Sequence, residues 1–89
     1  MATKRKEFRI GECAIGGIIE VTINGKVVQI RALDYNSKKE VMKGTTDTTQ
    51  RDAYRQIDDF LTELTTYYFT QKVMDYIKGN VTFKNEFEY

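Results

Sequence analysis

Among the carboxylates in the second half of the chain, Asp58, Asp59 and Glu63, with Asp75 further on, are the ones that could suggest a site. Asp59 and Glu63 are spaced i, i+4, which puts both on one face of a helix. A hard cation takes six or more oxygen ligands, and the neighbouring residues do not supply the remainder. A solvated acidic face is the expected reading. Cys13 is the one cysteine. A reactive thiolate needs an activating cation or base; only Arg9 is near, so a small buried hydrophobe is expected there. A single cysteine excludes an intrachain disulfide and favours a reducing, cytoplasmic setting. The chain has no histidine, which removes imidazole-based nucleophile systems and most zinc and iron sites. Gly11, Gly16 and Gly17 fit no phosphate-binding loop. Neither catalysis, a metal, a cofactor nor a small-molecule substrate is expected.

The cations offer a different chemistry. Residues 1–44 carry nine Lys or Arg against five Asp or Glu, and residues 45–89 carry five against eight. Such asymmetry is what a face that meets an anion produces. Lys4, Arg5 and Lys6 read as a flexible basic arm. Lys26, Lys38, Lys39 and Lys43 are placed to contact phosphates, and Gln29 and Arg31 have the length and donors to reach base edges. Against this stand Glu20 on the same strand face and an isoelectric point of about 7.8, whereas dedicated nucleic-acid binders tend to exceed about 9.

A chain of 89 residues, 40% hydrophobic and 30% charged, is read as one soluble domain. It has no run of about 18 apolar residues to span a membrane. No apolar segment follows the opening Met-Ala-Thr-Lys-Arg-Lys, so no signal peptide is expected. The clearest local signal is Asn24-Gly25 between Ile18–Ile23 and Lys26–Leu33. It predicts a β-hairpin with a type I′ turn and positive φ at both central residues. In that register Ile23 faces Lys26, Val21 faces Val28 and Ile19 faces Ile30. Thr22 with Val27, Glu20 with Gln29 and Ile18 with Arg31 make the other, mixed face. Residues 7–13 alternate as a strand, and Glu40–Thr45 reads as a further one. Residues 7–45 are thus a β meander, behind a basic flexible segment at 1–6.

Helical spacing runs over 49–78, opened by a capping box at Asp47/Gln50 or Thr49/Asp52 and closed by Gly79 at C′. One stripe contains Tyr54, Ile57, Phe60, Leu61, Leu64 and Tyr68. A second, rotated stripe contains Phe69, Val73, Tyr76 and Ile77. A continuous helix of that length would be roughly 45 Å long at about 1.5 Å per residue. Overhang, or a break near 65–70, is therefore expected. Residues 81–89 alternate with period two and read as a strand-like tail. Tyr67, Phe69, Val73, Tyr76, Ile77, Phe83 and Phe87 are the candidates for a protein interface. The fold class is α+β: an antiparallel meander of three to four strands against a long C-terminal helical region, with an extra C-terminal strand as an option.

From Ile18 to Tyr68 the chain resembles the arm-type DNA-binding domain of mobile-element tyrosine recombinases. The residues that carry the resemblance are Val21-Thr22-Ile23-Asn24-Gly25-Lys26, Tyr35-Asn36-Ser37-Lys38-Lys39, Val41-Met42-Lys43-Gly44 and Ile57-Asp58-Asp59-Phe60-Leu61. The resemblance implies a three-stranded sheet entering the DNA major groove, with a helix behind it. The chain departs from that pattern at Tyr35, where the family usually has Trp, and at Ala32-Leu33, where it has Thr-Gly. The family's catalytic domain has no counterpart here. Two functions are expected from these readings. The first is a small non-catalytic accessory module of a mobile element or phage, contacting double-stranded DNA through its sheet. The alternative is a structural subunit that associates with itself or a larger protein assembly through the second half of the helix and the tail.

Overall fold

A computed structural model describes residues 3–10 and 17–84. The chain runs β1 (Thr3–Arg9), β2 (Ile18–Asn24), β3 (Val27–Leu33), β4 (Glu40–Asp47), α1 (Ala53–Leu64) and α2 (Tyr67–Asn80). The strands form one antiparallel sheet in sequence order, and both helices cover the same face of it. The fold is α+β. No helix among the described residues is long and apolar enough to cross a membrane.

The β2–β3 hairpin forms, with a register two residues away from the one expected. Asn24 pairs with Val27, Ile23 with Val28, Val21 with Ile30 and Ile19 with Ala32. The two turn residues are therefore Gly25 and Lys26, not Asn24 and Gly25. Gly25 has φ 63°, and among the described residues the one other positive φ belongs to Lys38. Positive φ at the first central position alone is the type II′ pattern. Because side chains alternate with period two, a shift by two leaves every residue on its expected face. Ile19, Val21, Ile23, Val28, Ile30 and Ala32 all point into the core.

β1 corrects the expected basic arm. Lys4, Arg5 and Lys6 belong to a strand and pair with Ile23, Thr22 and Val21. Residues 11–13 of the expected strand, Cys13 among them, lie outside the described residues. β4 continues past Thr45 to Asp47 and carries a register shift opposite Ala32/Leu33. Gly44 faces the helices, where a Cβ would stand 3.1 Å from the Phe60 ring. Glycine at this position lets α1 approach the sheet closely.

The expected helical stretch is two helices. Thr65 is extended, and its N–H bonds back to the Leu61 carbonyl; Thr66 then caps α2 by accepting a bond from the Phe69 N–H. Threonine is a weak helix former but a good N-cap, so Thr65-Thr66 both ends one helix and starts the next. The reversal lets Ile57, Leu61 and Leu64 of α1 and Val73, Met74 and Ile77 of α2 enter one core. Neither expected capping box forms. Asp47 instead accepts bonds from the backbone and hydroxyl of Thr49, and the α1 cap position is Asp52, whose side chain makes no cap bond. Gly79 lies inside α2 rather than at a left-handed C′ position; Val81 is the C-cap, in extended conformation. Val81 to Lys84 are not in a strand, and the remainder of the expected tail strand lies outside the described residues.

Two contacts fix the helices laterally. Phe60 of α1 stands over Gly44 of β4. Tyr76 of α2 meets Phe8 of β1 edge to face, with centroids 5.8 Å apart. α1 thus lies toward the β4 side and α2 toward the β1 side. Thr48 is fully buried between the sheet and this layer. Its N–H and hydroxyl both donate to the Lys26 carbonyl, at 2.8 and 2.6 Å, and its own carbonyl accepts from the Lys84 N–H.

Candidate interaction surface

The face of the sheet opposite the helices carries a chain of opposite charges, one from each strand. Glu20 of β2 is directly across from Arg31 of β3. The Arg31 Nε donates to Glu20 Oε1 at 2.8 Å, and Arg5 of β1 donates to Glu20 Oε2. Arg31 Nη1 also lies 3.5 Å from Glu40 of β4. Glu20 is 3% exposed. Burial alone would raise its carboxyl, but the hydrogen bonds from Arg31 and Arg5 outweigh that and hold it below its ordinary value. Its bond to Glu20 raises Arg31 in turn. Both arginines retain contact with water, so this is a partly solvated network rather than a dry ion pair.

The residues expected to meet nucleic acid divide between places. Arg5, Gln29, Arg31 and Lys43 share the face opposite the helices. Gln29 stands between Thr22 and Thr45, and Lys43 is across from Arg31. Lys4 and Lys6 project from the opposite, helix-covered side. Lys4 Nζ bonds to Asn80 at 2.8 Å, and Lys6 Nζ lies 5.4 and 5.5 Å from the ring centres of Phe8 and Tyr76. Lys26 is in the hairpin turn. Lys38 and Lys39 are in the β3–β4 connection, at the other end of β3, about 20 Å away at about 3.3 Å per residue. Asp34 organises that connection by accepting the N–H groups of Asn36 and Ser37, which lower its carboxyl. Lys38 folds back, with its Nζ on the Tyr35 carbonyl at 2.7 Å and 4.7 Å from the Tyr35 ring centre. The cations thus form no single basic face. On the face opposite the helices Arg5, Arg9, Arg31 and Lys43 are balanced by Glu7, Glu20, Glu40 and Asp47.

The expected protein-interface residues also separate. Val73 and Ile77 are fully buried in the core and are corrected to packing residues. They become core residues because α2 folds back on α1 and turns its second stripe to the same sheet. Phe69 and Tyr76 are half-buried, and Phe83 packs edge to face on Tyr54 at 5.5 Å. Phe87 lies outside the described residues. Tyr67 is 78% exposed. Its neighbour Tyr68, expected on the core stripe of α1, is 62% exposed because the helix reverses before it. Lys72 covers one face of the Tyr68 ring at 4.8 Å.

Asp58, Asp59 and Glu63 are on α1, behind the sheet from Arg31. Among the described residues no group of three or more His, Cys, Asp or Glu is arranged to hold a metal. Sequence reasoning missed the central role of Glu20. Cross-strand partners were the available signal: with Asn24 and Val27 as the closing pair, Glu20 falls opposite Arg31. No family model matches the chain, and no curated protein or solved structure is significantly similar to it.

Proposed function

We propose that the chain is a non-catalytic structural subunit that associates with itself. The carrying observation is where its incompletely covered apolar groups lie. Phe8 and Tyr76 are half-buried at the β1 edge, and Met42 and Phe60 are half-buried at the β4 edge. Each group borders a strand that pairs on one side only among the described residues. Open strand edges are templates for another chain, and apolar groups beside them add area that association removes from water. Sedimentation velocity from low-micromolar to several-hundred-micromolar protein tests the reading. A sedimentation coefficient that rises with concentration supports it; an unchanging monomer ends it.

A second reading, an accessory module of a mobile element or phage that binds duplex DNA through its sheet, is favoured by one observation. The acids Asp58, Asp59 and Glu63 stand on the helical layer, away from Arg5, Gln29, Arg31 and Lys43. Base recognition by Arg31 would require it to leave Glu20, so this reading asks more of the observed geometry. Titration of random duplex DNA at several salt concentrations separates the two. DNA binding appears as affinity that falls steeply with salt, and the absence of binding at low salt removes it.

A further inference from the structure

We infer that the second copy adds head to tail, with β1 of one copy pairing with β4 of the next. This rests on the self-association proposed above and names its geometry. The sheet has an even number of antiparallel strands, in order β1-β2-β3-β4. Its outer strands therefore run in opposite directions. When a second copy is placed beside the first with its helices on the same side, its β1 lies antiparallel to the first copy's β4. The sheet continues without a break in its pattern, and so does the helical layer.

Charge distinguishes this pairing from the two symmetric ones. β1 carries Lys4, Arg5, Lys6 and Arg9 against Glu7, whereas β4 carries Glu40 and Asp47 against Lys43. A β1–β1 contact brings two strongly basic strands together, and a β4–β4 contact brings Glu40 of one copy toward Asp47 of the other. Like charges across a strand pair are destabilising. The β1–β4 contact sets a basic strand against an acidic one.

The internal register extends to a specific alignment. Phe8, Ile19, Ala32 and Met42 form one row across the sheet, Lys6, Val21, Ile30 and Gly44 the next on that face, and Glu7, Glu20, Arg31 and Lys43 a row on the opposite face. Continued flush into the next copy, these rows put Met42 opposite Phe8 of the second copy and Lys43 opposite its Glu7. Gly44, which has no side chain, then opposes the long Lys6. Among the described residues neither Glu7 nor Lys43 has an ion-pair partner. A contact of this head-to-tail kind uses both edges of a copy, and yields a closed ring where the rotation between copies closes and an open series where it does not.

Sedimentation velocity on the full-length protein and two charge reversals tests this. E7K and K43E each change an exposed residue, and circular dichroism verifies that both remain folded. Each reversal alone should weaken association, by roughly three- to tenfold on the scale of cross-strand charge pairs. An equimolar mixture of the two should recover it, because every contact in an alternating series again joins opposite charges at positions 7 and 43. Association that is unaffected by E7K, or that the equimolar mixture fails to recover, overturns the head-to-tail mode while leaving self-association standing. A monomer at all concentrations overturns both.

Discussion

Arg31 and Glu20 face each other across β3 and β2, joined by a hydrogen bond of 2.8 Å from the guanidinium to a carboxylate that is nearly inaccessible to water. The pair holds in place the residue best suited by length and donors to reach outward. Glu20→Gln keeps the shape but removes the charge that two arginines share. The expected cost is about 1.5–3 kcal/mol, the range for hydrogen bonds to charged groups, read as a lowered urea midpoint with an unchanged slope.

The same carboxylate predicts an acid limb of stability. Its folded-state pKa is depressed, so its contribution is fully present above the unfolded-state value. That contribution is lost as pH falls through the folded-state value. Asp34 and Asp47, lowered by hydrogen bonds from Ser37 and Thr49 respectively, act in the same direction. Denaturation midpoints followed from neutral to acid pH should decline through the carboxylate range. Glu20→Gln should make that decline shallower. An identical decline in the variant would show that Glu20 is not among the responsible groups.

The turn geometry gives a paired expectation. Gly25 has φ 63° whereas Asn24 lies outside the positive-φ region. Gly25→Val should cost over about 1 kcal/mol, the scale of strain in such backbone regions. Asn24→Ala should leave the melting temperature nearly unchanged. A type I′ turn would make Asn24→Ala costly as well, so the two melting curves together identify the turn.

Gly17 permits a close approach. A Cβ there would fall 2.5 Å from the Tyr35 Cβ, and the Gly17 N–H and carbonyl bond to Leu33 and Ile10. The backbone on either side is held, so neither residue can retreat cheaply. Gly17→Ala should destabilise by about 1–3 kcal/mol, the usual cost of overpacking. Gly17→Ala combined with Tyr35→Gly, which removes the opposing Cβ, should recover part of the loss in thermal melts.

The two classes of aromatic and aliphatic residue on α2 should respond oppositely. Ile77→Ala removes a fully buried side chain and should cost about 2–5 kcal/mol. Tyr67→Ser changes a side chain that is mostly in water and should stay within about 0.5 kcal/mol. Equal effects in chemical denaturation would contradict the packing of α2.

Much of this fold could be read from local pattern. Alternation in Ile19, Val21, Ile23, Val28 and Ile30 identifies a hairpin and its buried face, and that face survives the shift in register because the shift is even. Asn24-Gly25 announces a turn but does not say which two residues occupy its centre. That choice depends on pairing with β1 and β4, which no local signal reports. Thr65-Thr66 marks the helix break, yet whether Val73 and Ile77 meet solvent or core depends on the direction in which α2 leaves it. The charge chain through Arg5, Glu20, Arg31 and Glu40 joins four strands and becomes visible only once all three registers are known. Lys4 and Lys6 belong to a run of charges that resembles a free arm in sequence and alternates across a strand in the fold.

Thr48 gives the helical layer an unusual attachment. The chain leaves the sheet at this residue, passes through both helices, and returns when the Lys84 N–H meets the Thr48 carbonyl. Topologically, the two helices are a single loop with adjoining ends. The entropy of closing such a loop grows only slowly with its length, and one closure serves both helices. They are therefore expected to order together on the finished sheet, as one cooperative unit. Native-state hydrogen exchange should show it: the slowest amides of α1 and α2 share one opening free energy, and loosening the chain at Thr48 lowers protection in both.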